Sequence, residues 1–228
     1  MTARDLPMLF SGPMVRALIR EIEQPGCGKT QTRRTIKKPG LMAAPYNMRA
    51  TDKGIPVSID DWGAIHYRPL PYRVGDRLYV REHWRTGGQH DHLAPRDLPR
   101  EWAGPIGYIA DEAPNSISRT GRFRQGMHMP RWASRLTLTV TDVRVERLLD
   151  ISEADAIAEG IIHPWNKRYP FGLQISDDAY CLGNTATQAY RALWNHINGP
   201  GSWDATPWVA AYTFTVAVGN IDTLARAA

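Results

Sequence analysis

Apolar positions recur along this chain with two periods. Met14, Leu18 and Ile22, flanked by Val15 and Ile19, fall at the spacing that lines one stripe of a helix. Ser11-Gly12-Pro13 precedes the stripe as a start signal, with Pro at the first helical position, and Pro25-Gly26 ends it. Met8 to Phe10 reads as a short strand before it. Lys29 to Ile36 is Thr-rich and alternates, which predicts a strand closed by Pro39-Gly40. Arg77 to Trp84 puts Leu78, Val80, Glu82 and Trp84 on one face by the period of two, so an acid sits on an apolar face. Leu136, Leu138 and Val140 alternate in one frame, Val143 and Val145 in the other. A bend or bulge near Thr141-Asp142 is therefore expected, splitting the segment into two strands.

The C-terminal third is more regular. Ile151 to Gly160 predicts a short helix with Ser152 as N-cap, Glu153 and Asp155 in its first turn and Gly160 as terminator. Tyr190, Leu193, Trp194 and Ile197 mark a second helix, stopped by Gly199-Pro200. Trp208 to Val218 is a last strand with Trp208, Tyr212, Phe214 and Val216 on one face. Two stretches, about 41–68 and 85–130, lack periodicity and read as irregular insertions, the second a poor place to look for core. The element order is that of a single α+β domain over residues 1–228, a small barrel with flanking helices and a long loop insertion.

Composition narrows the class. At 228 residues, with 43% of them hydrophobic, the chain can bury a globular core. Neither a signal peptide nor a run long enough to span a bilayer stands out, and two cysteines make no disulfide framework. A cytoplasmic protein without a membrane partner is expected. Charge is uneven: residues 1–40 hold 8 Lys and Arg against 3 acids, whereas residues 136–228 hold 6 against 10. Arg outnumbers Lys 23 to 5, and a basic half together with 8 tryptophans leans toward nucleotides or nucleic acid.

Several motifs carry candidate chemistry. Gly26-Cys-Gly-Lys-Thr30 imitates the end of a phosphate-binding loop, but Glu23 occupies the position of its first Gly and the order is helix then strand. His90-Asp-His92, with His83 and His128, fits no zinc spacing and reads as solvated loop, so no metal or other cofactor is expected. Lys29-Thr-Gln-Thr-Arg-Arg34 is the densest polar cluster on regular structure. Glu159 closes its helix where the macrodipole disfavours an anion by a few tenths to about 1 kcal/mol. A residue that breaks a local rule is a candidate site, and Glu159→Gln is expected to leave stability unchanged or slightly improved. Trp84 and Trp132 adjoin charged residues at strand ends, where a base can stack.

L9-F-S-G-P-M-V-R-A-L18, K29-T-Q-T-R-R34, V74-G-D-R-L-Y-V-R-E-H-W84, H128-M-P-R-W-A-S-R135 and I151-S-E-A-D-A-I-A-E-G-I161 together resemble the ASCH-domain proteins of the PUA-like superfamily, in the longer form carried by phages and prophages. The resemblance implies a β-barrel with helices at its openings. It also implies a metal-independent amidohydrolase that removes the acyl group from N4-acetylcytidine-like nucleosides. By position it carries the catalytic roles to Lys29, Thr32 and Glu159. Glu153 and Glu159 reproduce the spacing of the family's helix, whereas Glu23 to Cys27 is an insertion before the lysine, and the chain is about twice the length of the small hydrolases. Arg33, Arg34, Glu82, Trp84, Arg131 and Trp132 are candidate substrate-binding residues. Arg33, Arg34, Arg81 and Arg131 are expected to form one positive surface leading to the cleft. The alternatives are a module that binds single-stranded RNA or DNA without turnover, and a nuclease. A strictly extended strand puts Lys29 and Thr32 on opposite faces, so the triad requires a bend at Lys29 or Thr30.

Overall fold

The computed structural model describes residues 3–36, 48–49, 54–59, 65–99, 106–111, 121–176 and 178–225. In chain order the elements are β1 (Asp5–Leu9), α1 (Gly12–Glu23), β2 (Gln31–Thr35), β3 (Met48–Arg49), β4 (Ile55–Ile59), β5 (Ile65–Arg68), β6 (Arg77–Arg81), β7 (Trp84–Arg85), β8 (Gly107–Tyr108), β9 (Leu136–Arg147), α2 (Glu153–Ala158), β10 (Phe171–Gln174), β11 (Tyr180–Gly183), α3 (Ala186–Asn198) and β12 (Trp208–Val218). The fold is α+β. Its main sheet runs β1-β6-β9-β12-β2, with β3 adding to β9; among the described residues the β1–β6 pair is parallel and its other pairs antiparallel. Among the described residues β1 and β2 do not pair, so hydrogen bonding leaves the sheet open. Its two edges nevertheless approach: Arg34 on β2 donates to the Leu9 carbonyl on β1 at 2.7 Å. Tyr72 spans the same gap, its hydroxyl on the Pro7 carbonyl and its ring edge-on to Tyr212 at 5.3 Å.

The frame switch in β9 is a bulge within one strand, not a break between two. Val140 pairs with Phe214 and Asp142 with Thr213, which leaves Thr141 as the extra residue. That single insertion returns Val143 and Val145 to the core beside Leu138 and Val140, all four at most 2% exposed. Helix α1 presents Met14, Val15, Ala17 and Leu18 to this core, and α3 presents Ala189, Tyr190, Leu193 and Trp194.

Two expectations are corrected. Within 41–68 the described residues are not irregular: β3 joins the main sheet and β4 pairs with β5 as an antiparallel hairpin. Within 85–130, Leu98 and Met129 join Trp84 and Ala133 in a second buried cluster, because Trp84 projects away from the main core and needs its own cover. The β10–β11 hairpin falls where no strand is expected, and the Pro39-Gly40 strand terminator lies outside the described residues. No helix of the described residues is long and apolar enough to cross a membrane.

Candidate active site

Three separate stretches deliver the site. The Gln24–Gly28 loop, which contains most of the insertion, folds back on α1: the Glu21 carboxylate accepts from the Gly26 and Gly28 amides. A Cβ at Gly28 would collide with the Glu21 backbone, so this glycine serves close packing and not phosphate binding. Lys29 follows directly, its amide on the Ala17 carbonyl at 2.9 Å, and Thr30 donates to the Ala158 carbonyl at 2.9 Å. Both residues precede β2, so alternation does not yet hold there. Lys29 can therefore reach Glu159 at the cleft that Thr32 also lines.

Helix α2 supplies the carboxylate. Ser152 and Asp155 form a capping box at its start, and Glu159 is its C-cap. Gly160 then takes φ 106°, a conformation that favours glycine, and packs against Ala17 and Lys29. Lys29 Nζ lies 2.6 Å from Glu159 Oε2 and 2.9 Å from the Glu159 carbonyl. Both side chains are almost wholly buried. The macrodipole is therefore a minor influence on Glu159: it is half of a buried ion pair, and the expectation that its replacement is harmless is overturned.

The pair belongs to a larger network. Arg33 grips Glu146 Oε1 through Nε at 3.1 Å and Nη2 at 2.6 Å, and reaches Asp155 and Glu159 at 3.3 Å each. Arg144 pairs with Asp155 at 2.8 Å, and the Gln31 amide donates to the same carboxylate at 3.1 Å. Lys29, Arg33 and Arg144 thus face Glu146, Asp155 and Glu159, three cations against three anions. Burial pushes the Lys29 ammonium pKa down; Glu159 opposes this, while Arg34 and Arg33 reinforce it, and the net direction is down. The Tyr190 hydroxyl is hydrogen-bonded with Glu159, and burial first, then that carboxylate, push its pKa well up, so it keeps its proton.

A cleft of about 460 Å³ opens beside the network. Lys29, Thr32, Arg33, Arg34, Glu159 and Tyr190 all line it, with Phe10, Met14, Leu193 and Trp194 as apolar wall. The three sequence-predicted catalytic residues therefore meet, although 130 positions separate Lys29 from Glu159. Its size and lining are those of a small-molecule site. Arg34 stacks its guanidinium over Phe10 at 5.3 Å and, among the described residues, pairs with no carboxylate.

The remaining candidates lie elsewhere. Glu82 is buried in a two-bond ion pair with Arg135, at 2.9 and 3.0 Å. Trp84 is fully buried, with Trp132 edge-on at 6.3 Å and Arg124 over its ring. Arg131 is held by Asp5 and Asp222. None of the four lines the cleft. Nor do the four arginines form the expected positive surface: Arg33 and Arg131 are tied to acids and Arg81 donates to the Met127 carbonyl, leaving Arg34, of the two that line the cleft, without a carboxylate partner among the described residues. Glu153 accepts from the Ala186 amide at 2.6 Å and from the Thr187 amide and hydroxyl, so it docks the start of α3 onto α2.

Residues absent from the candidate set are Tyr190, Glu146, Arg144 and Trp194. Tyr190 and Trp194 share their helix's apolar stripe and read as core. Glu146 had a signal, an acid beside Val145 at the end of an apolar strand. Comparison with family models, curated proteins and solved structures found no match for this chain.

Proposed function

We propose that the cleft is the active site of a metal-independent amidohydrolase, built on a PUA-like barrel of the ASCH kind and working in the cytoplasm. Its substrates are N4-acylated cytosine nucleosides, N4-acetylcytidine being the simplest. The observation that carries the proposal is the meeting of Lys29, Thr32 and Glu159 on one cleft, with the lysine and glutamate 2.6 Å apart. A threonine hydroxyl attacks an amide only when a base takes its proton, and an amine whose pKa is lowered by burial suits that task. The proton shared in the 2.6 Å Lys29–Glu159 contact first moves to the carboxylate, leaving an uncharged amine that takes the Thr32 proton as Oγ1 bonds to the acyl carbon. Glu159 then passes its proton to N4 of cytosine as the C–N bond breaks. Water, deprotonated by Glu159, then cleaves the threonine ester, giving the free carboxylate and restoring Thr32. Phe10, Tyr190 and Trp194 offer aromatic walls for a pyrimidine, and Arg34 a donor for an acyl or ribose oxygen.

Incubation of the protein with N4-acetylcytidine, followed by chromatography, tests this. Cytidine and acetate are expected at a rate indifferent to chelator and nearly indifferent to salt. Absence of turnover, together with affinity for single-stranded RNA that falls steeply with salt, identifies a binding module instead.

A further inference from the structure

The cleft does not end at Arg34. A second compartment of about 380 Å³ adjoins it and shares Arg34 and Thr35 as its partition. Its other walls are Ile36, Pro69, Leu70, Pro71, Ala210 and Tyr212, almost wholly apolar. Edge strand β2 borders both spaces. Thr32 pairs with Tyr212 across the β2–β12 ladder and Arg34 with Ala210, and directly opposite residues share a face. The compartment thus begins one rung beyond the candidate nucleophile.

Reaction geometry then decides what enters it. The leaving nitrogen must lie beside Glu159 to receive its proton, which puts the pyrimidine in the Tyr190 and Trp194 end of the cleft. The acyl group hangs from the other side of the scissile carbonyl, toward Arg34. Tyr212 contributes apolar ring surface to the wall, its hydroxyl being buried out of a ligand's reach.

We propose that this compartment is an acyl-binding site for apolar chains of several carbons, with Arg34 as donor to the carbonyl or carboxylate oxygen. Identity of the acyl group rests on the amidohydrolase reading; existence of the compartment does not. One methyl group leaves most of the space empty, so acetyl is a poor fit.

The test compares kcat/KM for N4-acetyl-, N4-butanoyl- and N4-hexanoylcytidine. Each methylene taken from water into an apolar pocket contributes about fourfold, so butanoyl, two methylenes longer, is expected to exceed acetyl by roughly fifteenfold. Ile36→Trp, at a partly exposed wall of the compartment alone, is expected to collapse the hexanoyl-to-acetyl ratio toward unity, and Ala210→Val serves as a second filling variant. A parallel arm needs no turnover: millimolar hexanoate should raise the melting temperature of the wild type but not of Ile36→Trp, and acetate should raise neither. Turnover with acetyl preferred and no hexanoate shift overturns the compartment and leaves the hydrolase standing. A hexanoate shift abolished by Ile36→Trp, without turnover of any acylcytidine, keeps the apolar carboxylate site and overturns the hydrolase.

Discussion

Glu159 shows how far a residue's meaning depends on partners remote in sequence. Its position as a C-cap predicts a mildly unfavourable anion, yet Lys29 Nζ sits 2.6 Å away and Arg33 Nη1 3.3 Å away, all three side chains nearly buried at the floor of the cleft. Removing one partner of such a cluster strands the others without compensation and costs about 3–5 kcal/mol. Glu159→Gln is therefore expected to lower the melting temperature by about 6 °C or more for a chain of this size, as differential scanning calorimetry would read. An unchanged melting temperature would return Glu159 to a peripheral role. That Lys29, Thr32 and Glu159 line one cleft was legible only through a resemblance to a family motif, not through periodicity. Tyr190 and Glu146 were not, because helix periodicity cannot separate a buried phenol that packs from one that touches a carboxylate.

At the scale of elements, α2 is the hinge between site and scaffold. Six residues long, it cannot hold its shape alone, and its first-turn acids tie it outward. Glu153 caps α3, and Asp155 bonds Arg144 on β9 and Gln31 on β2. Although burial opposes it, hydrogen bonds from Arg144 and Ser152 and the charge of Arg33 bring the Asp155 pKa from 3.8 down to about 2. A carboxyl depressed in the folded state contributes stability above its unfolded pKa and loses it as pH falls through the folded value. About 2 kcal/mol should therefore disappear between roughly pH 4 and pH 2. Urea titrations of the wild type and Asp155→Asn across that range are expected to converge at low pH, and parallel curves would contradict the assignment. The helices were readable from caps and stripes, and the β9 bulge from its change of frame. The β4–β5 hairpin was not, although Ile55, Val57 and Ile59 alternate, because Pro56 interrupts the run and no tight-turn dipeptide follows it; nor was β10–β11, two four-residue segments each containing a Gly.

Across the whole molecule, the sheet curls until Arg34 on one edge touches Leu9 on the other, and the cleft lies where those edges meet under α3. The basic N-terminal half and acidic C-terminal half, read separately, point to a polyanion. Folding brings Lys29 and Arg33 from the first onto Glu146, Asp155 and Glu159 from the second, so much of that charge is spent internally. Charge counts carry no information about such pairing, which is why the expected positive surface failed. What remains at the cleft, among the described residues, is one arginine without a carboxylate partner, Arg34, beside a charge-balanced network and an apolar wall. The most direct test of that account is kcat/KM of Thr32→Ala for N4-acetylcytidine, measured beside the wild type on protein of matched melting temperature. A loss on the order of 10³ or more is expected if Thr32 forms the acyl ester. Turnover equal to wild type would contradict it.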